Sequence, residues 1–194
     1  MTLIRVNPAS VRAYGAQAQA EFESMSISLN RLVDDVVAVR YFGPNAVAFK
    51  TECGRLAADF ANKLHHDMAA MADAVRRSTS NIAASLGGQP ITIDVSNKPI
   101  IPPTPPTVDY VDVDTSALEA VIPVVTSHLT DVREGLTRNF QKLQATDWEG
   151  NAKLAAVDAV GGFTTSARHS CDASQQSLAG YVNDQLQSVV AADR

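Results

Sequence analysis

The chain has 194 residues, of which 45% are hydrophobic and 6% aromatic, and it carries a formal net charge of -5. That apolar content, in a chain long enough for one ordinary domain or two small ones, argues against global disorder; scarce aromatics beside abundant alanine favour packed helices over a β-sandwich. The acidic balance, with no basic cluster longer than Arg76-Arg77, argues against a phosphate-gripping face and so against nucleic acid as a partner.

The first ten residues, "MTLIRVNPAS", have neither a long apolar core nor a small-residue cleavage site, so no Sec-type signal peptide is expected. No run approaches the roughly 20 apolar residues needed to cross a bilayer, so no integral membrane segment is expected. Asn7 followed by Pro8 reads as a helix N-cap with proline in the first turn. From there to about Arg40, Phe22, Met25, Leu29, Leu32, Val33 and Val36 recur at spacings of three and four, the mark of one helical face. The stretch "YFGPNAVAF", Tyr41 to Phe49, interrupts that face with an aromatic-x-Gly.

A second stripe runs from about Pro44 to Ser85 through Phe49, Cys53, Leu56, Phe60, Leu64, Met68, Met71, Val75 and Ile82, with Gly87-Gly88 as its stop. The next stretch, to Asp114, holds six of the nine prolines and cannot be helix. It reads as an extended linker with polyproline character and a short strand at Ile91 to Val95. Asp114, Thr115 or Ser116 can cap a third helix to about Thr146, with Leu129, Val132, Leu136, Phe140 and Leu143 on one face. Pro123 either starts that helix or kinks it. Then "DWEGN" places the only tryptophan, Trp148, two residues before Gly150. A fourth helix follows from about Asn151 to Ala191, carrying Leu154, Val157, Val160, Phe163, Leu178, Val182 and Val189, and weakened at Gly161-Gly162.

The halves align at a shift of 107 residues: Val6 falls on Val113, Leu29 on Leu136, Tyr41 on Trp148 and Gly43 on Gly150. Identity is low, but the apolar registers agree, which reads as a duplication, the alternative being that any two helical hairpins of similar length align as well. In each half glycine can end one helix and let the chain reverse, while the aromatic before it folds back over the end of the helical seam. The expected architecture is all-α: a helical hairpin over 1–88, an extended Pro-rich linker over 89–113, and a second hairpin over 114–194. Helices this long with one apolar stripe need partners along their whole length. If the hairpins pack antiparallel as a four-helix bundle, the linker must cover on the order of 50 Å, which about 27 extended residues can do. A head-to-head pair would need only a few.

No constellation supports catalysis, a cofactor or a metal site. His65 and His66 are adjacent and point to different helix faces, unlike the i, i+4 pair that grips zinc. His169, Cys171 and Asp172 form a loose local cluster that reads as solvated surface, and Ser170 lacks a nucleophile elbow. Gly161-Gly162 lacks the lysine and spacing of a phosphate loop. The two cysteines, Cys53 and Cys171, read as small buried helix residues, with a single disulfide as the alternative.

Trp148-Glu149-Gly150 resembles the W-x-G signature of the small helical-hairpin proteins handled by type VII (ESX-like) secretion, the WXG family that includes the early secreted antigens of mycobacteria. Tyr41-Phe42-Gly43 looks like the same turn with Tyr in place of Trp, and "YFGPNAVAF" is similar to the G-P-x-A-x-x-F continuation often seen after it. The resemblance covers both hairpins but not the linker. It implies a non-enzymatic, actinobacterial, virulence-associated protein in which the usual two-chain dimer is fused into one monomeric chain with intramolecular hairpin pairing. It implies export through type VII secretion, with a secretion-machinery ATPase or a co-secreted protein as partner. The family's export signal, Y-x-x-x-D/E after the last helix, is matched in spacing by Tyr110 and Asp114 within the linker. Tyr181 and Asp184 match it imperfectly, three residues apart rather than four. That departure keeps a cytoplasmic role open, as adaptor or chaperone for an exported toxin, alongside a structural bundle unrelated to secretion.

Overall fold

The computed structural model describes residues 3–86, 89–96 and 98–193. The protein is an all-α bundle of two helical hairpins. The first comprises β1 (Arg5–Val6), α1 (Pro8–Ala38), β2 (Tyr41–Phe42) and α2 (Pro44–Leu86); the second comprises β3 (Asp112–Val113), α3 (Thr115–Ala145), β4 (Trp148–Glu149) and α4 (Asn151–Ala192). The proposed stop of α2 at Gly87-Gly88 lies outside the described residues.

Two compact units divide the chain, and each takes a segment from all four helices. The first unit contains Met1–Ser26, Leu64–Asn97 and Arg133–His169; the second contains Ile27–Lys63, Lys98–Val132 and Ser170–Arg194. Within the first unit, the free ends of the first hairpin therefore lie with the corner of the second. Within the second unit, the corner of the first hairpin lies with the free ends of the other. Each unit by itself is an antiparallel packing of two hairpins, as the linker length predicts.

The core of the first unit includes Phe22, Met25, Leu64, Met68, Met71, Leu136, Leu143 and Trp148, all at most 2% exposed. In the second, Leu29, Leu32, Val33, Val36, Phe49, Cys53, Leu129 and Val132 are equally buried. The stripes read from the sequence thus supply most of the buried faces, with departures. Leu154 is 61% exposed, because the buried face of α4 runs through Ala156, Val160, Ala167 and Cys171 and Leu154 lies off that face. Leu56, Ile82, Phe140, Val157, Phe163 and Val189 are half-buried, at the edges of their stripes.

Helix α3 continues without a break from Thr115 past Pro123, which is solvent-exposed, so the proline does not start it. Helix α4 likewise passes through Gly161-Gly162 without a break. Gly161 has a packing reason: a Cβ there would come within 3.1 Å of the Phe140 ring.

The strand expected at Ile91 to Val95 does not form. Its neighbours are helices whose backbone groups are already paired, so no ladder is on offer, and side-chain amides and hydroxyls satisfy the linker instead. In the first unit Ile91 N donates to Thr79 Oγ1 at 3.0 Å, and Gln19 exchanges two hydrogen bonds with the backbone of Asp94, accepting from its N at 2.7 Å and donating to its O at 3.0 Å. In the second unit Asn62 does the same for Ile100, at 2.8 and 3.0 Å. Ile91, Ile93 and Ile100 are buried, so the linker is an apolar strap as well as a tether.

Cys53 and Cys171 are buried thiols and no disulfide joins them. Burial, assisted by the Glu52 charge, pushes the Cys53 thiol up to about 12, which leaves negligible thiolate at neutral pH.

Candidate functional site

The residues singled out by sequence converge on two corners built on one plan. Gly43 and Gly150 have φ of 125° and 123°, a region that side-chain-bearing residues rarely adopt. Ahead of each glycine, the aromatic's N–H closes a tight turn: Tyr41 N donates to Val39 O and Trp148 N to Thr146 O, both at 2.8 Å. After each glycine its carbonyl accepts the first bond of the returning helix, from Val47 N and from Leu154 N, both at 3.2 Å. Trp148 is 1% and Tyr41 4% exposed, so both aromatics are driven inward, as the corner role requires.

What the sequence did not reveal is that each corner is stitched to the opposite hairpin by a two-residue antiparallel ladder. In the first unit β1 pairs with β4, Arg5 opposite Glu149 and Val6 opposite Trp148. In the second unit β2 pairs with β3, Tyr41 opposite Val113 and Phe42 opposite Asp112. Two-residue strands have no alternation to detect, so periodicity could not find them. The ladders also explain the helix starts. Asn7 Oδ1 caps α1 by accepting from Ala9 N and Ser10 N, while its own N–H donates to Asp147 O across the hairpins. Asp114 repeats this for α3, accepting from Ala117 N and donating to Arg40 O.

Around the first corner the Tyr41 ring lies 5.8 Å from Phe49, which stacks on Tyr181 at 5.4 Å and 9°. Gln185 Nε2 donates to the Tyr41 hydroxyl at 2.8 Å. The Lys50 ammonium sits 4.7 Å from the centroid of the Phe42 ring; Lys50 is 3% exposed, and burial lowers its pKa. A cleft of about 790 Å³ opens beside this corner, lined by Tyr41, Phe42, Pro44 and Val111 on one side and Gln185 and Val190 on the other. Tyr110, 57% exposed, lies against Phe42 with ring centroids 6.0 Å apart.

The four candidate signal residues have definite places. Asp114 is the α3 cap and Tyr110 an exposed ring four residues before it. Tyr181 and Asp184 lie inside α4, Tyr181 half-buried in the aromatic stack and Asp184 exposed. Of the loose cluster, His169 and Asp172 are exposed and Cys171 is buried. His65 is buried, and neither ring nitrogen finds a hydrogen-bond partner among the described residues; burial lowers its pKa. Among the described residues no group of three His, Cys, Asp or Glu side chains could hold a metal ion, and no helix is long and apolar enough to cross a membrane.

The first unit carries a partly buried charge cluster. Glu21, 9% exposed, accepts from Arg138 Nη2 at 3.1 Å and from Lys142 Nζ at 2.8 Å. Burial raises the Glu21 carboxyl, but the Arg138 and Lys142 hydrogen bonds and charges outweigh it and hold the pKa below its ordinary value of 4.5. A depressed carboxyl stabilises the fold above its unfolded pKa, and that contribution disappears as pH falls through the folded value. Glu21→Gln is therefore expected to cost about 1–2 kcal/mol at neutral pH, with Arg138 solvated enough to soften the loss. The gap to wild type should narrow as the pH falls below 4.5, which urea titrations at pH 7 and pH 3 would measure.

No family model, curated protein or solved structure matches this chain.

Proposed function

We propose that this chain is a non-enzymatic helical protein of a type VII (ESX-like) secretion system, a secreted substrate or the carrier of one, with the two-hairpin WXG dimer fused into a single polypeptide. The observation that carries the reading is the pair of aromatic-x-Gly corners, Tyr41-Phe42-Gly43 and Trp148-Glu149-Gly150, which share a glycine conformation and a hydrogen-bond pattern. Supporting it are the buried aromatics, the antiparallel hairpins and a linker long enough to join them in that sense. Its partners are the ATPase of the secretion machinery or a co-secreted protein, and it needs no cofactor.

A specific observation favours the carrier arm. Asp114 is spent on capping α3 and Tyr181 on the Phe49 stack, so both candidate signals include a side chain already engaged in the fold. Detection in culture filtrate decides between the arms. A secreted substrate is present in filtrate from wild-type cells and absent in a secretion-ATPase mutant. Retention in the cytosol of both strains, with co-purification of an exported protein, supports the carrier. Appearance in both filtrates at equal levels refutes the type VII reading.

A further inference from the structure

The 107-residue shift that aligns the two hairpins also carries the segments of one compact unit onto those of the other. Every pair of facing positions between hairpins in one unit thus has an equivalent pair of positions in the other. In a simple repeat the counterparts would be alike, and either hairpin could pair with a copy of itself. The ladders and caps are alike, but several side-chain contacts differ.

At the ladders, Arg5 pairs with Asp147 at 3.8 Å in the first unit and Arg40 with Asp112 at 3.1 Å in the second. Arg5 and Asp112 are equivalent under the shift, as are Arg40 and Asp147, so the ion pair is the same one with its polarity reversed. Pairing the first hairpin with a copy of itself would set Arg5 against Arg40. Self-pairing of the second would set Asp112 against Asp147.

Deeper in, the equivalents of Glu21 and Lys142 are His128 and Asp35, which contact each other at 2.7 Å. The acidic members, Glu21 and Asp35, belong to the first hairpin and the basic ones to the second. In a self-pair of the second hairpin His128 would face Arg138 and Lys142. In a self-pair of the first, Glu21 would face Asp35, with Arg31 in Arg138's place as its one cation.

Buried polarity follows the same division. The Tyr14 hydroxyl donates to Asn139 Oδ1 at 3.3 Å with both residues at most 3% exposed, whereas their equivalents, Val121 and Leu32, are buried and apolar. Self-pairing would confront Tyr14 with Leu32 and Asn139 with Val121, leaving a buried hydroxyl and a buried amide oxygen without partners. Size is also matched. A Cβ on Gly135 would come within 2.8 Å of Met25 Cγ, and the equivalent of Gly135 in the first hairpin is Ser28, which has that Cβ. Finally, Lys63 and Ser170 exchange places under the shift; Lys63 Nζ donates to Ser170 Oγ at 2.6 Å. A self-pair of the first hairpin would bring two Lys63 ammonium groups to this position.

We propose that the facing surfaces of the two hairpins carry a pairing code, written in Arg5, Arg40, Asp112 and Asp147 at the ladders and in Tyr14, Asn139, Met25 and Gly135 within the core, that accepts the other hairpin and rejects a second copy of the same one. Like charges, orphaned polar groups and overlapping side chains supply the rejection. The partner these surfaces fit is the complementary hairpin of this chain.

Two charge-matched full-length variants test it. R40D/D112R keeps opposite charges across both ladders, whereas R40D/D147R places like charges across both and complementary charges in each self-pair. At low ionic strength R40D/D147R should melt about 4 °C below R40D/D112R, and the gap should close in about 1 M salt. Refolded from denaturant at protein concentrations near the millimolar effective concentration of tethered hairpins, R40D/D147R should yield more dimer by light scattering than wild type. Coincident melting of the two variants at low salt, or dimer yields equal to wild type, would overturn the code.

Discussion

Trp148→Ala is expected to lose about 3–5 kcal/mol of folding stability, the range for removing a fully buried large aromatic. Trp148 is 1% exposed, sits at the tip of a hairpin and forms half of the β1·β4 ladder, opposite Val6. Its removal opens a cavity where one hairpin's corner meets the other's free ends. The walls are helix ends held by backbone hydrogen bonds, notably Asn7 N to Asp147 O at 2.9 Å, and those bonds prevent collapse into the space. For a chain of this size the midpoint should fall by about 10 °C. Calorimetry on the purified protein reads this directly; a midpoint within a degree of wild type would mean the tryptophan does not hold the corner.

Glycine substitution at the corners should show an asymmetry that follows from geometry. Both glycines have φ near 125°, so any side chain there is strained by about 1–3 kcal/mol. The surroundings differ, however. A Cβ on Gly43 would lie 3.1 Å from Val111 Cγ2, whereas on Gly150 its nearest neighbour, Ile4 Cγ1, is at an ordinary 3.7 Å. Gly43→Ala should therefore be the more damaging of the two, and Gly43→Val worse still, by about 2–4 kcal/mol, because a β-branched side chain adds the crowding of Val111 to the strain. Urea unfolding of Gly43→Ala, Gly150→Ala and Gly43→Val would rank them. Equal losses for the two alanine variants would show that backbone strain alone sets the cost.

The corners and the ladders separate what is local from what is not. Glycine at a helix break, proline or asparagine at a helix start, and apolar residues at spacings of three and four are short-range signals. They located the helices, the reversals at Gly43 and Gly150, and the buried faces down to Phe22, Leu29, Leu64 and Leu136. Leu154 was misplaced because the buried face of α4 is marked largely by small residues, Ala156, Ala167 and Cys171, which a stripe of large apolar residues passes over. The strand expected at Ile91 to Val95 failed for a different reason. β-propensity describes a segment's fitness for a ladder, and whether a ladder neighbour exists depends on the rest of the fold. Gln19, Asn62 and Thr79 took that role instead, and nothing in their own neighbourhood distinguishes them from other polar helix residues.

By itself the chain determined an all-α protein of two hairpins with an extended tether, because helix periodicity, caps and breakers act within a few residues of one another. Only the tertiary structure decided which hairpin surfaces meet: that Arg5 answers Asp147 while Arg40 answers Asp112, and that Tyr14 finds Asn139. Those partners lie more than seventy residues apart, and their complementarity depends on register across two separately formed helical hairpins. No local pattern encodes that distance; it exists once the packed faces bring the residues together.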